Sequence, residues 1–429
     1  MAFSFIHISD IHLGRPFSDL SKYSFDTELS KLYKTAVNEA FMNCIDFALT
    51  NKVDFVLVAG DTFDSDEQDF ASKLILKKVL KKLEDNGIKA FLICGNHDCI
   101  NSYNKNTFDF DDNSDIKIIG LNTEKSGKFI IKNSKNEDIA VLQALSFENS
   151  EMRENPLKYF VPFDKEEEKL FKIGLLHCDL DADKDSVYAP CKTSDLKEMG
   201  YDYWALGHIH IPSKSSDICY AGTLQGRNTK ETGVHGFRYI NVENNKIISN
   251  ELIPSDIIRY EDITVDISGV KDTTSLYSLI YDTIDKTINN IETKVKLYLI
   301  RLELKGITDL YSSLDEQFFN TVSEQIQNDF QTKIYISQIY NNAQSKADEE
   351  ILKSDEGITG EIYRTVQDTE NIKIAFDDNE KQFKTLIKNC NFLNEEYEEF
   401  KSEIINFSKE YLIGMCSRLY NLERNEDEE

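Results

Sequence analysis

Five short polar motifs, each placed directly after an apolar run, limit what this chain can fold into more than any other feature. They are Asp10-Ile11-His12, Gly60-Asp61, Gly95-Asn96-His97-Asp98, His177 and Gly207-His208-Ile209-His210. The runs before them are Phe3–Ile8, Asp54–Val58, Lys89–Cys94, Lys172–Leu176 and Tyr203–Leu206. Their length and apolar character are those of buried strands, and a further strand is expected over Ile139–Leu145. Apolar residues at 29, 32, 33, 36, 37, 40, 41, 44, 45 and 48 repeat with helical spacing, and a second helix is expected over Gln68–Glu84. Alternating strands and helices predict an α/β fold. Such folds place their sites at the C-terminal ends of strands, where the strand fixes a side chain and the loop is free to specialise.

The motif side chains are metal ligands and proton carriers. Two divalent cations about 3.5–4 Å apart repel each other unless an anion lies between them, so a two-metal site needs a bridging carboxylate. Asp61, after a buried strand and a glycine that permits a sharp turn, is the expected bridge. Asp10 and His12 lie on one loop and, with His210, make the expected first site; Asn96, His177 and His208 make the second. Such nitrogen–oxygen shells suit Mn²⁺, Fe²⁺ or Zn²⁺ better than Ca²⁺ or Mg²⁺. The lack of a cysteine ligand weakens a structural-zinc reading. His97 is left over beside a ligand, where an imidazole can position a phosphate and protonate the leaving oxygen. Asp64 is placed to accept the other N–H of His97. Taken singly, a His-x-His can be two surface histidines and a Gly-Asn-His-Asp a capped turn. Together, each at a strand end, the motifs read as metal-assisted cleavage of a phosphate ester.

Other residues have two readings each. His7, inside the first strand, is a core histidine or one that supports a ligand; His235 sits in a Gly-rich stretch near the expected mouth. Arg15 and Arg227 can touch a phosphate or be solvated loop arginines. The eight cysteines form no Cys-x-x-Cys pair and read as free, mostly packed thiols, Cys94 and Cys178 among them.

A chain of 429 residues predicts two or three compact units. Pro254 marks a boundary: residues 1–253 form the α/β unit, and 254–342 form a small α+β unit. The latter is expected to contain Tyr260–Ile267, Thr274–Asn290, Val295–Leu304, Glu316–Phe330 and Lys333–Ile339 as strand, helix, strand, helix and strand. Residues 343–357 are polar and read as a linker. Residues 358–429 read as helical, with apolar positions from 383 to 411 marking two helices before the acidic end Glu423–Glu429. No stretch approaches the roughly 20 apolar residues that span a bilayer, and no basic leader precedes the first strand, so a cytoplasmic protein with no membrane attachment is expected. The net charge is −27, with 30 Lys+Arg against 39 Asp+Glu in residues 1–250 and 19 against 37 in residues 251–429. A chain this acidic should not hold long duplex DNA by itself through counterion release.

The motif set resembles the calcineurin-like metallophosphoesterase superfamily. Within it, Gly60-Asp61-Thr62-Phe63-Asp64 and the chain layout are similar to SbcD-type DNA-repair exonucleases. Tyr188-Ala189-Pro190 and the run Tyr201–His210 are similar to YhaO-type proteins. The likeness is strong over residues 1–245 and faint beyond. It implies a four-layer αββα metallophosphoesterase domain, followed by a small α+β capping domain and a C-terminal helical segment. It implies a Mn²⁺-dependent phosphodiesterase acting on DNA, the exonuclease or endonuclease component of a repair complex. It also implies C-terminal helices that dock on an SMC-like coiled-coil ATPase, and a homodimer formed through helices of the catalytic domain. The ligand roles implied are those of Asp10, His12, Asp61, Asn96, His177, His208 and His210, with His97 as catalytic acid. Some relatives carry histidine where this chain has Asp64. The competing reading is a small phosphodiester or nucleotide hydrolase of the same superfamily without an ATPase partner. The acidity favours it; the residues beyond 250 and the YhaO-like run favour the nuclease.

Overall fold

The computed structural model describes residues 2–14, 17, 27–64, 70–103, 114–121, 123–182, 185–214, 216–288, 294–345 and 349–368, with isolated positions beyond. The chain opens with β1 (Ala2–Ile8), α1 (Thr27–Asn51), β2 (Phe55–Ala59), α2 (Phe70–Asp85), β3 (Lys89–Ile93) and β4 (Ile116–Ile118). It continues with β5 (Ser126–Lys132), β6 (Asp138–Leu145), β7 (Phe171–His177), α3 (Thr193–Glu198) and β8 (Tyr203–Gly207). Three strands follow: β9 (Ile218–Tyr220), β10 (Gly236–Glu243) and β11 (Lys246–Pro254). These strands make two sheets, with orders β11-β10-β1-β2-β3-β4 and β5-β6-β7-β8-β9. The chain divides into two compact units, Met1–Glu261 with Glu292–Leu299, and Asp262–Ile291 with Ile300–Glu429.

Parallel register brings the motifs together. Ile8 pairs with Val58, Ala59 with Ile93, and His177 with Gly207, so the residues just past each strand stand side by side. The two sheets meet face to face through Phe3, Phe5, Phe55 and Leu57 on one and Leu142, Phe171, Ile173 and Ala205 on the other. Phe5 stacks on Phe55 with ring centroids 4.8 Å apart and meets Tyr203 edge-on at 5.5 Å. All of β2 is buried, which explains its unbroken apolar sequence. The α2 helix buries Leu76, Val79, Leu80 and Leu83 and leaves its lysines outside. The outer layer on the second sheet is thin: α3 and loops cover Trp204, whose indole N–H donates to the Leu196 carbonyl at 3.2 Å. The expected αββα order is present, with that fourth layer reduced to one short helix and loops.

The β10–β11 hairpin was not anticipated from the sequence. Asn244 and Asn245, with φ 51° and 58°, make its two-residue turn, the backbone that matches strand twist in a tight hairpin. The six described cysteines are free and buried, as expected.

Most of a sheet ordered β12-β13-β14, from β12 (Ile258–Asp266), β13 (Leu297–Thr308) and β14 (Lys333–Ser345), belongs to the second unit. Its helices α4 (Thr273–Ile288) and α5 (Glu316–Asp329) bury Leu276, Ile280 and Ile284, and Val322 and Ile326. Regular structure enters the stretch 343–357 that reads as a linker. Strand β14 runs to Ser345, and α6 (Glu349–Ser354) follows, then α7 (Ile358–Gln367). In the late, polar part of β14 a side chain pairs across the sheet: Asn342 Nδ2 donates to Glu303 Oε1 at 2.8 Å. The two helices expected between 383 and 411 and the acidic end lie outside the described residues. No described helix is long and apolar enough to cross a membrane.

Candidate metal centre

Asp10, His12, Asp61 and His208 all have left-handed backbones, with φ of 51°, 50°, 51° and 105°. Each such non-glycine residue costs about 1–3 kcal/mol, and the surroundings must enforce it. Here the loops enforce one another. The amides of Asp10, His12 and Leu13 donate to the carbonyls of Gly60, Asp61 and Thr62 at 3.0, 3.0 and 2.8 Å. Asp98, 1% exposed, ties the second loop to the third. Its carboxylate accepts from the amides of Gly95 (2.7 Å), Thr62 (2.9 Å), Asp61 (3.2 Å) and Phe63 (3.3 Å), and from the Tyr103 hydroxyl (3.1 Å). Burial pushes its pKa up to about 6 against the pull of those bonds. Sequence reasoning held Asp98 within its motif but gave it no role. Close approach explains two of the glycines: a Cβ on Gly95 would stand 2.1 Å from Asp61 Oδ1, and one on Gly207 1.9 Å from the Ala59 carbonyl oxygen.

The side chains then converge. Asp10, His12 and His210 form one group of potential ligands, and Asp10, Asp61 and His177 another. His12 Nε2 lies 3.2 Å from His210 Nε2, and His210 Nε2 lies 3.9 Å from Asp10 Oδ1. Asp61 Oδ2 is 3.5 Å from His177 Nε2 and 3.9 Å from His12 Nε2, so it stands between the two expected sites. Asn96 Oδ1 is 2.9 Å from His177 Nε2, and the His208 ring lies 5.3 Å from that of His177. All seven residues expected as ligands are thus brought together.

The donor set fits divalent cations. A carbonyl oxygen only accepts, so His177 Nδ1, 2.8 Å from Ala59 O, carries the proton and leaves Nε2 a lone pair directed at the electron-rich Asn96 Oδ1. Likewise His210 Nδ1 donates to Glu231 Oε1 at 2.9 Å. Asp10 and Asp61 are 0% and 1% exposed, and two adjacent buried carboxylates are costly without positive charge between them. Burial, then the charges of Asp10 and Asp98, holds the Asp61 pKa well above the carboxylate range. Burial would raise Asp10 too, but His177, His210 and His12 bring it below its ordinary value. Burial lowers the pKa of His12, and that of His208 to about 4, keeping both neutral as ligands must be.

Asp64 acts differently from expectation. His97 Nδ1 donates at 2.8 Å to the main-chain carbonyl of Asp64, while the carboxylate is 3.9 Å away. That carboxylate stands 2.9 Å from His12 Nδ1, close but not aligned as a hydrogen bond. The peptide group of Asp64, not its side chain, therefore orients His97. Arg227 is 4% exposed, not a solvated loop arginine, and its charge acts on His12 and Glu231. His235 is 1% exposed, with Nδ1 3.2 Å from Thr223 Oγ1, so it belongs to the packed interior and not to a mouth. His7 is a core histidine: Nε2 donates to Leu206 O at 3.1 Å and Nδ1 accepts from the Tyr203 hydroxyl at 2.9 Å. Arg15 lies outside the described residues. Sequence reasoning missed Glu231, since nothing in its local sequence marks a carboxylate that meets a histidine from another loop.

The sequence profile of the family described as Calcineurin-like phosphoesterase matches residues 3–212. The uncharacterized metallophosphoesterase YhaO of Bacillus subtilis is 30% identical over 308 residues, 71% of this chain and 72% of YhaO. The chain belongs to the calcineurin-like metallophosphoesterases. This metallophosphoesterase is also 28% identical to the DNA double-strand break repair protein Mre11 of Methanocaldococcus jannaschii, over 62% of this chain and 70% of that one. A component of the SbcCD nuclease of Escherichia coli K12, the SbcD polypeptide, is 30% identical over 101 residues, 23% of this metallophosphoesterase and 22% of SbcD. Calcineurin-like phosphoesterases bind two divalent metals, and the residue groups above are the candidates to hold them here.

Proposed function

We propose that this metallophosphoesterase is a two-metal phosphodiesterase that cuts DNA, with Mn²⁺ as its working cation. The observation that carries the reading is the convergence of seven candidate nitrogen and oxygen ligands beside His97, whose side chain is 40% exposed. Asp10, His12 and His210 would hold one cation, Asn96, His177 and His208 the other, with Asp61 shared. When bound, the cations supply a nucleophilic water and neutralise phosphate charge. The Nδ1 donations of His177 and His210 leave Nε2 of each free to hold the cations. His97, with Nδ1 committed to Asp64 O, keeps Nε2 for delivering a proton to the leaving oxygen. Arg227 would supply positive charge toward a phosphate.

The step from phosphodiester to DNA draws on the likeness to Mre11 and to SbcD. The net charge of −27 is accommodated if an SMC-like ATPase, docked on helices beyond residue 358, carries most of the cationic DNA surface. In this reading residues 1–253 are catalytic, 254–342 form the cap, 343–357 join it to the partner-binding segment, and the protein works as a cytoplasmic homodimer. The same acidity favours a second reading, a small phosphodiester or nucleotide hydrolase without a partner.

Mn²⁺-dependent cleavage of single- and double-stranded DNA and of a small diester, by wild type and His97→Asn, tests both. DNA degradation lost in the variant supports the nuclease. Small-diester cleavage without DNA cleavage, even with an added ATPase partner, sinks it and leaves the second reading.

A further inference from the structure

Two of the candidate ligand histidines in this centre are backed by different groups. His177 Nδ1 donates to a neutral peptide carbonyl, Ala59 O, whereas His210 Nδ1 donates to the Glu231 carboxylate. Glu231 is 7% exposed and also accepts from the Arg227 amide at 2.8 Å and from Asn228 Nδ2 at 2.8 Å. Three donors thus converge on its two oxygens, the arrangement that suits a carboxylate. A carboxylate behind an imidazole makes the far nitrogen a stronger donor to a cation than a carbonyl does, besides fixing the tautomer.

We infer that Glu231 is a positioning residue that makes the two metal sites unequal, the Asp10–His12–His210 site holding its cation more tightly than the Asn96–His177–His208 site. Glu231 acts through His210 and needs no contact with metal or substrate. The inference rests on the two-metal reading of the centre and is independent of the substrate.

The test is calorimetric titration of the full chain with Mn²⁺ alone for wild type, Glu231→Gln and Glu231→Asp, together with the thermal midpoint of each metal-free chain. Two binding phases are expected in the wild type. In Glu231→Gln the tight phase weakens about 10–100-fold, while the weak phase stays within about twofold and the metal-free midpoint stays near wild type. Glu231→Asp, which restores the charge, recovers part of the tight phase. Unchanged binding, equal weakening of both phases, or a midpoint that falls with them overturns the inference. So does loss of the tight phase in both variants, because charge is then not the cause. A wild type that binds fewer than two Mn²⁺ removes the two-metal reading itself, which separates the two failures.

Discussion

His97 donates its Nδ1 proton to the main-chain carbonyl of Asp64 across 2.8 Å, while the Asp64 carboxylate stands 2.9 Å from His12. The backbone of Asp64 therefore binds one imidazole while its side chain lies against another. Asp64→Ala should leave His97 oriented and loosen His12, weakening Mn²⁺ affinity about 10–100-fold. His97→Asn should instead lower kcat about 10²–10⁴-fold with metal affinity near wild type. Metal isotherms and kcat at saturating Mn²⁺ separate the two. An equal kcat loss in both variants would mean that the Asp64 side chain holds His97 after all.

Asp98 satisfies four buried amides and one hydroxyl with a single carboxylate. Each unsatisfied buried donor costs about 1–3 kcal/mol, and partial relaxation leaves an expected loss of about 3–5 kcal/mol for Asp98→Ala. Urea unfolding of the metal-free chain measures it. A loss below about 1 kcal/mol would show that water or rearranged loops replace the carboxylate.

Gly95→Ala puts a methyl group where Asp61 Oδ1 now sits. The Asp61 carboxylate must turn, so Mn²⁺ binding should weaken at both sites together, since this carboxylate lies between them. A calorimetric titration in which only one phase changes would count against Asp61 as the bridge.

His7 carries a pH prediction. Burial lowers its pKa from 6.5 to about 3 in the folded chain, so between those values the unfolded chain binds the extra proton. Its contribution to stability is complete above about pH 6.5 and shrinks as the pH falls toward 3, by up to about 1.4 kcal/mol per unit. His7→Gln can keep the bonds to Leu206 and Tyr203 but does not titrate. The slope of unfolding free energy against pH, between about pH 4 and 6, should drop by about one proton. An unchanged slope would show that His7 is not held neutral.

The first unit was largely legible because its signals are local. An apolar run such as Phe55–Ala59 followed at once by Gly60-Asp61 declares both the strand and the residue at its end. Polar strands were less legible: β14 continues past Ile339 through Asn341 and Asn342, and no periodicity reveals the bond that Asn342 makes across the sheet to Glu303. Arg227 has the look of a solvated loop residue. It is buried because Gln225, two residues earlier, accepts from the amides of Ile257 at 2.7 Å and Ile258 at 3.1 Å and pins the loop inward.

By itself the sequence determined which side chains stand at the strand ends, and so which ligands are available, since a strand and its final residue are neighbours in the chain. The tertiary structure alone decided which nitrogen of three of the histidines faces the centre. That choice belongs to the acceptor behind the ring: Ala59 for His177, Asp64 for His97 and Glu231 for His210, at sequence separations of 118, 33 and 21 residues. A hydrogen-bond acceptor that arrives from another loop leaves no mark in the spacing of the residues it orients.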